Sequence, residues 1–221
     1  MASPVKAVTF DAYGTLIQNR GIVTIAARMV ADHRLPCSAD ELCALWVDGY
    51  YEATQQSPFR TLREIHAQIL PNVLRRFDVT CDVSGYVDLF FEVLTSIELY
   101  PETMSVLRAL RHVRCAIVSN ADHEHLAAWS SAFPVEFVLI SEEVRAYKPH
   151  RLLFERAVER FGVMPHEVLH VGDSDVDDII GAKSAGLQVA WVNRDGRKRR
   201  SDVPPPDFEM ADLTGLPPLL S

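Results

Sequence analysis

The sequence predicts an α/β protein: a parallel sheet with helices on both faces, interrupted after its first strand by an all-helical segment. Three observations predict it. From residue 100 onward, short and continuously apolar runs alternate with amphipathic stretches of helix length, the pattern of buried parallel strands joined by crossover helices. An apolar β run at Val5–Phe10 stands alone at the start of the chain. Between the two, residues 17–98 carry helical periodicity and no convincing strand. The expected organisation is a core of residues 1–16 and 99–221 with a cap of residues 17–98.

Each element has a local reason. The first strand ends at Asp11, where Gly14-Thr15 turns the chain. Ile22, Ile25, Ala26, Met29 and Val30 then fall on one face of a helix. Ser38 with Glu41, and Thr61 with Glu64, read as capping boxes opening the next two helices. The first of these shows Leu42, Leu45, Trp46 and Tyr50; the second shows Leu62, Ile65 and Ile69, with Pro71 expected to kink or restart it. Val83, Val87, Phe90, Leu94 and Ile97 mark a fourth helix. Pro101 opens a helix bearing Met104, Leu107 and Leu110. Strands follow at 115–118, 137–140, 168–171 and 189–192, with a short last one near 208–210. The intervening helices are expected near 123–130, over 153–161 with a stop at Gly162, and at 176–185.

Bulk composition narrows the function. The 221 residues are 48% hydrophobic and 24% charged, a globular balance, and the net charge of −8 argues against general affinity for nucleic acid or an anionic membrane. Arg197-Lys198-Arg199-Arg200, with Arg194 just before it, reads as a solvated loop in preference to a binding patch or localisation signal. Cys37, Cys43, Cys81 and Cys115 form no CxxC pair and no zinc spacing. No signal-peptide pattern and no membrane-spanning apolar run is present, so a reducing cytoplasm is the expected location.

Ligands of such a sheet bind outside the carboxyl ends of its strands. There the sequence places Asp11, Ser119-Asn120, Lys148-Pro149 and Gly172-Asp173-Ser174, followed by Asp175, Asp177 and Asp178. Converging carboxylates repel unless a cation joins them, and an all-oxygen donor set favours Mg²⁺. Asp11 then acts as a covalent nucleophile, with Lys148 offsetting charge and Ser119, Asn120 and the Gly14-Thr15 turn holding the substrate's oxygens. Asp175 and Asp177 are read as helix-dipole acids only.

Phe10-Asp11-Ala12-Tyr13-Gly14-Thr15-Leu16, Ser119-Asn120, Tyr147-Lys148-Pro149 and Gly172-Asp173-Ser174 with Asp178 together resemble the four motifs of the haloacid dehalogenase-like (HAD) hydrolase superfamily. The resemblance implies a Rossmann-like core with a helical cap. It also implies Asp11 as nucleophile and Mg²⁺ held by Asp11, Asp173, Asp178 and the Tyr13 carbonyl.

Departures from the patterns of two subgroups set the choice within the family. Phosphatases of the family carry an aspartate as general acid where this chain has Tyr13, a loss worth about 10²- to 10⁴-fold. Asp-x-Tyr-Gly-Thr-Leu is instead what 2-haloacid dehalogenases carry; these need no metal and hold substrate with a cap arginine. Here Val47 replaces that arginine, Asp173 a neutral residue and Phe154 a tyrosine. Three departures against one match favour a Mg²⁺-dependent phosphatase acting on a small phosphate monoester through an aspartyl-phosphate. The alternatives are a 2-haloacid dehalogenase using an aspartyl ester, with Arg28, Arg60 or Arg63 as the substitute arginine, and a non-catalytic binding scaffold. His66 is the first candidate for a substitute acid.

Overall fold

The structure is a computed structural model that describes residues 4–129 and 132–220. Six parallel strands form one sheet in the order β3-β2-β1-β4-β5-β6. These are β1 (Ala7–Phe10), β2 (Arg114–Ser119), β3 (Phe137–Ile140), β4 (Val168–Gly172), β5 (Gln188–Val192) and β6 (Phe208–Met210). β1 and β4 are buried throughout, as expected of central strands covered on both faces. The order reverses at β1, so β1, β2 and β4 deliver their carboxyl ends to one crevice.

The chain divides into two compact units. The first runs through Gln18, then Glu98–Ala121, then from Trp129 onward. Its core packs Ala116, Val118, Leu139, Leu153, Phe154 and Trp191 among others. Around the sheet lie α5 (Thr103–Ala109), α7 (Ser141–Val144) and α8 (Leu152–Phe161), with α6 (His123–Trp129) ending in it. Gly162 stops α8 in the left-handed conformation, with its N–H on the carbonyls of Val158 and Glu159.

The second unit, Asn19–Ile97 with Asp122–Ala128, is helical. It contains α1 (Gly21–His33), α2 (Ala39–Thr54), α3 (Leu62–Arg75) and α4 (Ser84–Thr95). Both expected capping boxes are present, at Ser38/Glu41 and Thr61/Glu64. Asp122 adds to the second, its carboxylate accepting from the N–H groups of Leu62 and Arg63 at 2.9 and 3.0 Å. α3 neither ends nor restarts at Pro71; Leu70, Val73 and Leu74 continue its buried face through the proline. His66 packs edge to face on both Trp46 and Phe90 at its centre, and Trp46 lies tilted against Phe90.

The segment after β4 also differs from expectation. A π-helical turn covers Asp175–Ile180, and only Gly181–Ser184 (α9) is α-helical. No helix among the described residues is long and apolar enough to cross a membrane.

Candidate active site

β1 ends by handing its ladder to Asp11, whose N–H donates to the Val171 carbonyl at 2.9 Å. The following turn closes on itself through Gly14 N–H to Ile17 O (2.7 Å) and Ile17 N–H to Ala12 O (2.8 Å). Gly14 has φ +91°, and a Cβ there would lie 2.5 Å from the Asp173 carboxylate. A glycine is therefore required both by the backbone and by the approach of the turn after β4.

Asp11 is buried, with two donors on a single oxygen. Ser119, at the end of β2, donates to Oδ1 at 3.0 Å, and the Lys148 ammonium donates to the same atom at 2.6 Å. Lys148 also reaches Asp178 Oδ1 at 2.6 Å, with only 2% of its side chain exposed. Asn120 fixes the lysine from its backbone, accepting from Lys148 N–H at 2.8 Å and donating to its carbonyl at 3.4 Å. Thr15 makes a long 3.5 Å contact to Asp173 Oδ1. The structure thus brings Asp11, Ser119, Lys148 and Asp178 into direct contact, with Asp173 and Thr15 alongside. Asn120 acts on the lysine main chain, and the Tyr13 ring packs on Trp129 at 5.5 Å.

One buried cation faces several buried carboxylates, which sets the electrostatics. Burial would lower the Lys148 pKa, but Asp11 and Asp178 more than reverse this and hold it above the ordinary lysine value. Burial raises Asp11, opposed by Lys148. Burial also acts against ionised Asp178, yet Lys148 and the His170 hydrogen bond bring it well below the usual carboxylate range. Asp173 is pushed up to about 8 by burial and by the charges of Asp11 and Asp178, which outweigh Lys148 and Arg197. Burial also raises the Tyr13 phenol far above its ordinary value, so it is no substitute acid.

Four features escaped the sequence reading. His170 lies in β4 with its Nε2 3.0 Å from Asp178 Oδ1 and its Nδ1 2.9 Å from Thr9 Oγ1. The available signal was a histidine inside an otherwise apolar strand, which needs partners when buried. Asp177, read as a dipole acid, turns its Oδ1 inward without a hydrogen bond, and burial raises its pKa well above the ordinary value. Arg194 and Arg197 contact the turns after β1 and β4 and are not simply solvated. His66, the candidate acid, accepts from the Trp46 indole at 2.9 Å, and burial lowers its pKa to about 3, so at neutral pH it is an uncharged imidazole and a poor proton donor. Of the candidate substitute arginines, Arg28 pairs with Asp32, Arg63 pairs with Asp88 and Glu124, and Arg60 bonds Gln56.

Oxygens of Asp11, Asp173 and Asp178 lie within 4.8 Å of one another, close enough to share one small cation. This oxygen donor set and its surplus of buried negative charge fit Mg²⁺.

A family model described as haloacid dehalogenase-like hydrolase matches residues 5–186. Haloacetate dehalogenase H-2 of Moraxella sp. (strain B) is 30% identical over 227 residues, covering 98% of both chains. (S)-2-haloacid dehalogenase 4A of Burkholderia cepacia is 28% identical over 231 residues, covering 100% of this chain and 97% of its own. A solved L-2-haloacid dehalogenase structure superposes with a TM-score of 0.84 at 25% identity, covering 99% of both chains. These similarities overturn the expectation of a Mg²⁺-dependent phosphatase with an aspartyl-phosphate intermediate. They run through the whole chain, helical segment included, whereas that expectation weighed Tyr13, Val47, Phe154 and Asp173 singly.

Proposed function

Because the chain belongs to the haloacid dehalogenase-like hydrolase family, we propose that it is a hydrolytic dehalogenase of small 2-haloacids with Asp11 as nucleophile. The observation that carries this reading is the buried Asp11 carboxylate, pinned through Oδ1 by Ser119 and Lys148. Holding one oxygen orients the other, Oδ2, for attack on carbon. In the first step Oδ2 bonds to the halogen-bearing carbon as the carbon–halogen bond breaks and the halide leaves with its electron pair. In the second, water adds to the Asp11 ester carbonyl; the 2-hydroxy acid departs and Asp11 is restored with one oxygen from water. The balance is haloacid plus water giving hydroxy acid, halide and a proton.

Lys148 opposes the effect of burial on Asp11 and so favours the ionised carboxylate that a nucleophile requires. Ser119 orients that carboxylate, and Thr15 and Asn120 complete the polar rim on the substrate side, Asn120 through its hold on Lys148. If Mg²⁺ binds, Asp11, Asp173, Asp178 and the Tyr13 carbonyl are the groups that would hold it, and it would add positive charge beside Asp11. The displacement itself is assigned to the chain's own residues. The relatives named haloacetate and (S)-2-haloacid dehalogenase support the substrate class.

The test is halide release from haloacetates and from both enantiomers of 2-chloropropionate, in excess EDTA, with Asp11→Asn as control. Release by the wild type and none by the variant is expected. Absence of release from every haloacid, with or without Mg²⁺, would refute the proposal.

A further inference from the structure

The basic segment after β5 folds back on its own root. Asn193 accepts from the Arg197 N–H at 2.9 Å, and its amide donates to the Arg197 carbonyl at 2.9 Å and to Glu209 at 2.7 Å. This closure aims two guanidinium groups at the two turns that carry the carboxylates. Arg194 donates through Nη2 to the Thr15 carbonyl at 2.9 Å and through Nε to the Gly14 carbonyl at 3.3 Å. Its Nη1 pairs with Glu102 at 2.7 Å, and its Cζ lies over the Tyr100 ring, 3.5 Å from the centroid. Arg197 donates to the Asp173 carbonyl at 2.6 Å, which also accepts from the Trp191 indole at 2.8 Å.

We propose that Arg194 is a positioning residue for Asp11, and that the Asn193–Arg197 loop braces the turns after β1 and β4 against each other. Neither arginine reaches Asp11 or the expected place of the reacting carbon, so neither is catalytic. Their leverage comes from the tight approach of the turns, in which a single methyl on Gly14 would collide with Asp173. Only a planar fork can hold two successive carbonyls and a carboxylate while stacked on an aromatic ring. A lysine of the same charge cannot. With side-chain exposures of 18% for Arg194 and 14% for Glu102, the pair is mostly removed from solvent screening.

The catalytic part of this inference rests on the dehalogenase reading, so its test has an arm that does not. Arg194→Gln and Arg194→Lys are compared with wild type by halide release and by amide exchange over residues 12–17 and 173–178. Misplacing a nucleophile by about 1 Å costs on the order of 10²-fold, so kcat should fall at least about 10-fold in both variants with KM nearly unchanged. Exchange should quicken in the two turns and not elsewhere. Free guanidinium should restore part of kcat to Arg194→Ala. If the wild type releases no halide, the dehalogenase reading falls and the exchange arm alone decides the brace. Unchanged exchange in both turns would overturn the proposal, as would wild-type kcat in Arg194→Gln. Faster exchange throughout the chain would also overturn it, by showing general destabilisation.

Discussion

Replacing Lys148 by Met should cost stability as well as activity, by an amount the geometry sets. The ammonium lies 2.6 Å from both Asp11 Oδ1 and Asp178 Oδ1, with side-chain exposures of 2%, 9% and 1%. Methionine fills nearly the same volume, so the loss is of charge and not of packing. Breaking a buried ion pair by removing one partner costs about 3–5 kcal/mol, because the other charge stays buried. For a chain of this size each kcal/mol moves Tm by about 2–4 °C, giving a fall of roughly 6–20 °C in a thermal melt at neutral pH. The sign of the pH effect follows. Without Lys148, Asp11 loses the charge that opposes its burial and its folded pKa stays above the unfolded one, so the folded state takes up a proton and the Tm deficit narrows as pH falls from 8 to 5. Lys148→Met/Asp178→Asn should recover much of the stability and none of the halide release. A Lys148→Met protein that melts with the wild type at neutral pH would refute the electrostatic account of this site.

Two further outcomes follow from other residues. His66 has a folded pKa lowered to about 3 by burial and by His125, so its contribution is intact above the unfolded value near 6.5 and is lost as pH falls below it. That amounts to about 2 kcal/mol at pH 5, and denaturant titrations should find this acid slope missing in His66→Gln, which keeps an acceptor for Trp46; an unaltered slope would contradict it. Gly14→Ala should lose activity and lower Tm, since φ is +91° and the Cβ meets Asp173, at a backbone cost of about 1–2 kcal/mol before any collision. Gly85→Ala, with nothing within 4 Å of the added methyl, should leave both unchanged or raise Tm slightly. Equal behaviour of the two alanines would count against the close approach of the turns.

Much of the core was legible because parallel strands are buried on both faces and read as continuous apolar runs. The three-residue strand Phe208–Met210, interrupted by the exposed Glu209, was also expected, but without that pattern. That Asp11, Ser119, Lys148 and Asp173 come together was legible from one rule, that ligands bind outside the carboxyl ends of such strands. What stayed hidden depends on pairing between distant segments. His170 matters because the β1–β4 register sets it opposite Thr9, and no local pattern records that register. Phe154, noted as a missing tyrosine, is buried with its ring edge-on to His170 at 4.9 Å. Asp177 was misread because an α-helix was assumed where the chain makes a π turn, which changes the direction of each side chain across 175–180. The arginines after β5 look like any exposed basic run until their carbonyl partners are in place, those of Arg194 lying on the turn after β1 and that of Arg197 on the turn after β4. The choice between phosphatase and dehalogenase failed for another reason. Single motif positions were given more weight than similarity spread over the entire chain.

The central claim is that Asp11 forms an ester with the substrate carbon, and one isotope measurement addresses it directly. A single turnover of a haloacetate in H₂¹⁸O, with enzyme in excess, is followed by mass spectrometry of the product and of the peptide containing Asp11. Water attacks the ester carbonyl and not the substrate carbon in this account. The first hydroxy acid released should therefore carry ordinary oxygen taken from Asp11, and the Asp11 peptide should gain one ¹⁸O. Product labelled with ¹⁸O in that first turnover, with the Asp11 peptide unlabelled, would show direct attack by water and contradict the account.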